Sequence, residues 1–397
     1  MRRNSKLRTE NPKPRKLVPA LITWFSTNAR QLPWRRTRNP YAIWVSEIML
    51  QQTQVKTVIP YWERWMRELP TIQSVAKASP AKQHKLWEGL GYYTRVRNMQ
   101  KAAQQIVARH DGKFPKKYED ILALPGIGRY TAGAICSIAF NQPTPILDGN
   151  VVRVLTRVFG IEENPRDKET NARLWKLAED LVGRALRCPP RRCAETTAYL
   201  ENSCSHLNQS LMELGALVCT PRSPNCTSCP VKTYCIAFRQ NRQDELPNLG
   251  KREAATARRF VAFIIIRNGK FLVRQRPNGV VNAHLWEFPN VEMGTSEGRA
   301  WRPVRADVPL SKIGGQTTAA PKRCGRFKIT DTKPLCIIKH SITRYRIRLE
   351  AYRTRLTTRS GGKIGIWRTP AQMRRLAFAA AHKRLASIAV KRILSRR

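Results

Sequence analysis

The chain is expected to fold as two domains of different class, an all-α half followed by an α+β half. From Leu17 to about Phe238, apolar residues recur at helical spacing between breaks at Pro, Gly and Asn, with few alternating runs. After a polar stretch at 239–258 the pattern changes to β-rich segments such as Arg259-Phe-Val-Ala-Phe-Ile-Ile-Ile266. At 397 residues and 42% apolar content, the chain is long enough for each half to bury its own core.

Charge bounds the class of partner. Lys and Arg number 73 against 27 Asp and Glu, a formal net charge of +46, which implies a polyanion such as nucleic acid. The excess runs through both halves, so it permits DNA without selecting it. Residues 1–16 are basic and proline-containing with no apolar face, and read as a disordered tail drawn to DNA rather than a transit peptide. No apolar run reaches membrane length. The ten cysteines lack the pattern of a secreted scaffold. A cytoplasmic or other reducing intracellular compartment is expected.

In the first half, periodicity predicts a helix over Tyr41–Ile59 that carries Glu47 on the same face as Ile43, Trp44, Leu50 and Val58, a setting that raises a carboxyl pKa. An exposed position at the edge of that stripe is the plainer alternative. Leu124-Pro-Gly-Ile-Gly-Arg-Tyr-Thr-Ala132 places Gly126 and Gly128 in a turn opening onto the helix Thr131–Phe140, so backbone N–H groups can approach a phosphate. This is a helix–hairpin–helix pattern. Downstream, Asp148 occupies the N-cap of a helix with Val151, Val154, Leu155 and Val158 on one side. The helix end and the capping bonds favour its ionised form. One carboxyl pushed toward neutrality and one held ionised suit glycosidic bond cleavage, which needs an acid for the leaving group and an anion for the oxocarbenium ion.

Cys219, Cys226, Cys229 and Cys235 follow the spacing Cys-x6-Cys-x2-Cys-x5-Cys, with Pro221, Pro224 and Pro230 tightening the chain between them. Four thiolates from one short loop can wrap an iron–sulfur cubane. A zinc ribbon is the alternative, although only Cys226 and Cys229 form the close pair that such sites use twice. A second set, Cys188, Cys193, Cys204 and His206, has gaps unlike common zinc sites and reads more simply as a variable loop with free thiols. In the second half, Asn268-Gly269 marks a hairpin, strands are expected at Phe271–Gln275, Leu335–Lys339 and Tyr345–Tyr352, and a helix at about Pro370–Leu394.

Pro33-Trp-Arg35, Trp44-Val-Ser-Glu-Ile-Met-Leu-Gln-Gln-Thr-Gln-Val55, Trp87-Glu-Gly-Leu-Gly-Tyr-Tyr-Thr-Arg-Val-Arg-Asn98, the hairpin and Asp148-Gly-Asn150 together resemble the adenine DNA glycosylase branch of the endonuclease III superfamily. The resemblance spans residues 17–238 strongly and 259–397 weakly. It implies a helix–hairpin–helix glycosylase core with a [4Fe-4S] cluster on the loop 219–235, a linker at 239–258 and a Nudix-like lesion-recognition domain.

The implied substrate is double-stranded DNA carrying adenine opposite 8-oxoguanine, bound by a monomer that flips the adenine and hydrolyses its bond to deoxyribose. On this resemblance Glu47 protonates adenine N7, Asp148 stabilises the cationic sugar, and Tyr130 and Asn150 support both. Arg35 falls at the adenine pocket, and Gln52 and Tyr92 fall where side chains enter around the lesion pair. Relatives that also cut the backbone carry a Schiff-base lysine at the position of Tyr130, so a monofunctional enzyme is expected and a bifunctional glycosylase/lyase acting on oxidised pyrimidines is the rival. A non-catalytic iron–sulfur DNA-binding protein is a third reading, against which Glu47 and Asp148 stand. Arg274-Gln-Arg-Pro and His284-Leu-Trp-Glu-Phe-Pro289 carry the Nudix resemblance. The clustered glutamates of a Nudix hydrolase are missing after Gly294, so binding rather than pyrophosphate hydrolysis is expected. His340-Ser-Ile-Thr-Arg344 stands where the family reads the lesion, with Thr343 and Arg344 as candidate contacts.

Overall fold

A computed structural model describes residues 14–186, 202–250, 253–293, 323–324, 327–342, 344–357 and 364–394. The chain divides into two compact units, one of residues 1–77 and 98–252, the other of 78–97 and 253–397.

The first unit is helical. Its elements are α1 (Pro14–Asn28), α2 (Pro40–Leu50), α3 (Val55–Glu68), α4 (Ile72–Lys77), and, after α5 (Pro80–Leu86) of the other unit, α6 (Thr94–Arg109), α7 (Tyr118–Leu122), α8 (Arg129–Phe140), α9 (Gly149–Phe159), α10 (Lys168–Leu186), α11 (Ser203–Leu217) and α12 (Ile236–Arg239). Residues 94–97 at the start of α6 belong to the second unit. Helices α1, α9, α10 and α11 enclose a core of Leu17, Ile22, Leu155, Leu174, Leu207 and Leu211. Burying such side chains contributes about 1.5–3 kcal/mol each.

The single helix expected over Tyr41–Ile59 is broken. Asn39 caps α2, accepting from Tyr41 N at 2.9 Å, and Pro40 opens it. The helix ends at Leu50, where Thr53 N returns to Leu50 O and Gln52 takes φ +56°. A left-handed residue cannot continue a right-handed helix, and nothing in Gln51-Gln52 announces the reversal. The hairpin between α7 and α8 follows the expected pattern. Gly126 adopts φ +79°, and a Cβ there would stand 2.6 Å from that of Asn98, so only glycine fits. Gly128 is the N-cap of α8 and faces open space.

Residues 240–250, within the expected linker, lie on the first unit: Leu246 is buried and its carbonyl accepts from Arg157 Nε at 2.8 Å.

The second unit contains β1 (Thr256–Ile264), β2 (Ile266–Arg267), β3 (Lys270–Gln275), β4 (Trp286–Glu287), β5 (Asn290–Met293), β6 (Arg323–Cys324), β7 (Phe327–Ile329), β8 (Cys336–Ile342), β9 (Tyr345–Leu356) and β10 (Ile366–Arg368), then α13 (Pro370–Arg375) and α14 (Ala380–Leu394). One sheet runs β5-β1-β9-β7-β6 with β8 on β9, and the other runs β10-β3-β2 with β4 on β3. Strand β1 alternates between two cores, Ala262 and Ile264 facing Phe271 and Leu385, Val261 and Phe263 facing Tyr352 and Phe327. Asn268 and Gly269 both take positive φ in the β2–β3 turn.

The helix expected over Pro370–Leu394 is also interrupted. Trp286 N donates to Ala377 O, and Ala379 N to Trp286 O, so residues 377–379 are drawn into extended pairing with β4. Tertiary pairing overrides the helical propensity of this alanine-rich stretch.

Candidate active site

The last turn of α2, the first turn of α8, the N-terminus of α9 and one face of α11 surround a pocket of about 500 Å³ in the first unit. Glu47, Tyr130, Asp148, Asn150, Arg35 and Gln52 all line it. It is large enough for one base.

Helix α2 is buried along Tyr41–Met49, which leaves Glu47 only 5% exposed. Burial pushes its carboxyl up to about 7, against the lowering effect of a hydrogen bond from Tyr130, while nearby Asp148 pushes it further up and Arg35 pulls it down. The Tyr130 hydroxyl donates to Glu47 Oε2 at 2.7 Å and also lies 3.4 Å from Met212 Sδ on α11. Burial and the two carboxylates raise the Tyr130 phenol well above its ordinary value, so it remains a donor.

Asp148 caps α9. Its Oδ1 accepts from Val151 N at 2.7 Å and its Oδ2 from Asn150 Nδ2 at 2.9 Å. The expected capping bonds are present, but burial outweighs them and the net shift of Asp148 is upward. Asn150 Oδ1 in turn accepts from Arg153, whose guanidinium also bonds Gly215 O and Cys219 O at 2.7 Å each. A chain of hydrogen bonds therefore joins Asp148 to the cysteine loop. Gly215 permits this closeness, because a Cβ there would meet Asn150 Cβ at 2.6 Å.

Arg35 is held by residues the sequence reading did not single out. Both of its terminal nitrogens bond Glu213 at 3.0 Å, its Nε bonds Gln209 at 3.1 Å, and Phe25 lies under the guanidinium at 5.2 Å. Arg30 shares Glu213, with Nη2 to Oε2 at 2.6 Å. Burial alone would raise the Glu213 carboxyl, yet the bonds from Arg30 and Arg35 hold it down at about 2. The signal that marks Glu47, a carboxylate among apolar helical neighbours, is also present at Glu213 between Met212 and Leu214.

The four cysteines 219, 226, 229 and 235 lie on one loop, and Cys219, Cys229 and Cys235 pack on the helical core. Burial pushes the Cys229 thiol up to about 12 and that of Cys235 to about 11, and the neighbouring cysteines add to both. Thiols raised in this way stay protonated near neutral pH unless a cationic centre favours the thiolate. Arg157 Nη1 lies 3.4 Å from Cys219 Sγ. Among the described residues no group of three or more His, Cys, Asp or Glu side chains could hold a metal ion. Cys188 and Cys193 lie outside the described residues. Cys204 is buried in α11, and His206 packs against Phe25 with ring centres 5.9 Å apart.

Tyr92 and Arg344 belong to the second unit. Tyr92 is 44% exposed with φ +47°. Arg344 is exposed at the end of the β8–β9 hairpin, paired with Glu253 at 3.2 Å and lying over Tyr345. Thr343 lies outside the described residues.

Residues 45–180 match the HhH-GPD superfamily of base excision DNA repair proteins, and residues 261–387 match the NUDIX domain. An adenine DNA glycosylase of Buchnera aphidicola subsp. Schizaphis graminum is 36% identical over 273 residues, covering 68% of this chain and 74% of its own. The chain belongs to the adenine DNA glycosylase family. Adenine DNA glycosylases of Arabidopsis thaliana and Homo sapiens are 37% and 38% identical over 337 and 332 residues. Those matches cover 75% and 70% of this chain but 51% and 58% of the relatives, so the chain spans little more than half their length. In this chain a helix–hairpin–helix core precedes a NUDIX-like domain. No described helix is long and apolar enough to cross a membrane.

Proposed function

We propose that the protein is a monofunctional DNA glycosylase that removes adenine paired with 8-oxoguanine from duplex DNA. The observation that carries this reading is the contact of Tyr130 with a buried Glu47 near neutral pKa, beside the capped carboxylate of Asp148.

With adenine in the pocket, Glu47 gives its proton to the base as the N-glycosidic bond breaks, and the bonding pair leaves with adenine. Asp148 faces the cationic sugar that remains. Glu47, now a carboxylate, takes a proton from water as the hydroxide adds to the sugar carbon, which restores the acid. Tyr130 offers no amine, so no imine with the sugar forms and the backbone stays intact. The Gly126–Gly128 hairpin suits a DNA phosphate, and the basic charge of the chain suits the duplex.

In this reading Cys219, Cys226, Cys229 and Cys235 would hold a [4Fe-4S] cluster, on the strength of their spacing along one loop. The thiols share one loop and are half-buried, and burial disfavours the thiolates of Cys229 and Cys235 unless a cationic centre compensates; a cubane also spreads four thiolates more widely than a single ion does. The cluster would serve as a structural clamp for the basic loop bearing Arg222 and Lys232. Thr343 would contact the base opposite the adenine, and Arg344 would grip a DNA phosphate.

The test is a set of duplexes differing in one mismatch, incubated with the protein and then treated with alkali. Alkali-dependent breaks should be strongest for adenine opposite 8-oxoguanine. Breaks at an oxidised pyrimidine without alkali would favour the bifunctional rival.

A further inference from the structure

Residues 78–97 come from the helical half of the sequence but pack into the second unit. Glu88 carries that packing. Its side chain is 5% exposed, and Oε1 accepts from the backbone N–H of Phe378 at 2.9 Å. Oε2 accepts from Lys85 Nζ at 2.8 Å and from Lys383 Nζ at 2.7 Å. Lys85 also bonds Leu376 O at 3.0 Å, and Arg97 reaches Ala283 O at 3.3 Å. One carboxylate thus fastens the turn after α5 to the entry of α14.

That turn is unusual. Gly89, Gly91 and Tyr92 take φ of +116°, +73° and +47° within four residues. Left-handed backbone at a tyrosine is costly and persists only where its surroundings over-determine it. Trp87, fully buried, donates its Nε1 to Gly91 O at 3.0 Å, and Arg95 Nη2 bonds Leu90 O and Gly91 O at 3.1 Å. The Arg95 guanidinium lies 5.3 Å from the Trp87 ring centre and 5.6 Å from that of Tyr92. The strained turn leaves Tyr92 exposed while Trp87, Leu90 and Tyr93 around it are buried.

We propose that Glu88 is a positioning residue: by joining the 87–93 turn to the start of α14 it holds Tyr92 preformed for stacking on a DNA base. The NUDIX-like unit then contributes to duplex recognition through Lys383 and the Phe378 amide, which hold Glu88, as well as through Arg344. The inference rests on the glycosylase reading above. Preforming the turn spares the ordering entropy that a loose tyrosine would lose on binding.

The test is a double-mutant cycle in the full-length protein. Affinity is measured for a duplex with a hydrolysis-resistant 2′-fluoro-deoxyadenosine opposite 8-oxoguanine, and for a matched duplex. Glu88→Ala should weaken binding about tenfold, the order of one lost aromatic–base stack. The loss of affinity should exceed the loss of single-turnover rate at saturating enzyme. Glu88→Gln should keep most of the affinity, because its amide oxygen still accepts from Phe378. In a Tyr92→Ala background, Glu88→Ala should add less than twofold. Additive losses, or a folded Glu88→Ala protein that binds like the parent, would overturn the proposal. If Glu88→Ala does not fold, Lys383→Met runs the same cycle, and additivity again decides against it. Failure of the glycosylase reading looks different: the parent would then bind matched and mismatched duplexes alike.

Discussion

The Tyr130 hydroxyl sits 2.7 Å from Glu47 Oε2 and donates to it, at the point where α8 meets the last turn of α2. This bond steadies the carboxylate form of Glu47, while burial and Asp148 favour the acid. The balance leaves a group that both gives and takes a proton near neutral pH.

Glu47→Gln removes the proton and keeps the shape. Base release should fall by about two to four orders of magnitude, with duplex affinity largely retained. Gel-shift and single-turnover assays on the same preparation check the separation, and excision near the parental rate would remove Glu47 from the mechanism.

Tyr130→Lys puts an amine where the hydroxyl now meets the pocket. Borohydride should then trap a covalent protein–DNA adduct through an imine with the opened sugar. An adduct of comparable yield in the parent would mean that the reaction type is wrong.

Glu213→Ala would leave Arg30 and Arg35 facing each other with no anion between them. A loss of about 3 kcal/mol is expected, near the low end for breaking a buried ion pair, because Arg30 is one-third exposed. The pH dependence has a defined sign. Glu213 titrates at about 2 in the folded chain and near 4.3 when unfolded, so its contribution is complete above the unfolded value and is lost as pH falls toward 2. Urea unfolding of parent and variant at neutral and acidic pH measures both effects, and an unfolding midpoint independent of Glu213 would count against the buried pair.

Cys226→Ser should abolish the brown absorbance of an iron–sulfur cluster and weaken DNA binding together, since losing one ligand loosens the loop carrying Arg222 and Lys232. Zinc without iron in the purified parent would exclude the cluster.

Much of the site was legible because its chemistry is local. Asp148 declares itself as an N-cap ahead of an apolar stripe, and Gly126 as a turn residue no Cβ could replace. Glu47 stands out as an acid on a buried helix face. What stayed hidden depends on distant partners. Glu213 draws its meaning from Arg30 and Arg35, more than 170 residues away along the chain. The break at Gln52 has no Pro or Gly to mark it. The interruption after Arg375 comes from pairing with Trp286, which helical periodicity does not see. The grouping of 78–97 with the second unit is a contact of Glu88 with Phe378, 290 positions away.

The most direct test of the acid–base account is the pH profile of single-turnover adenine release from a duplex with adenine opposite 8-oxoguanine. The rate should decline above about pH 7 as Glu47 loses its proton, and fall on the acid side as Asp148, shifted up by burial, becomes neutral. In Tyr130→Phe the carboxylate loses a donor, so the alkaline limb should move to higher pH. A rate that stays level or rises between about pH 6 and 9, with an alkaline limb that Tyr130→Phe does not move, would contradict the account.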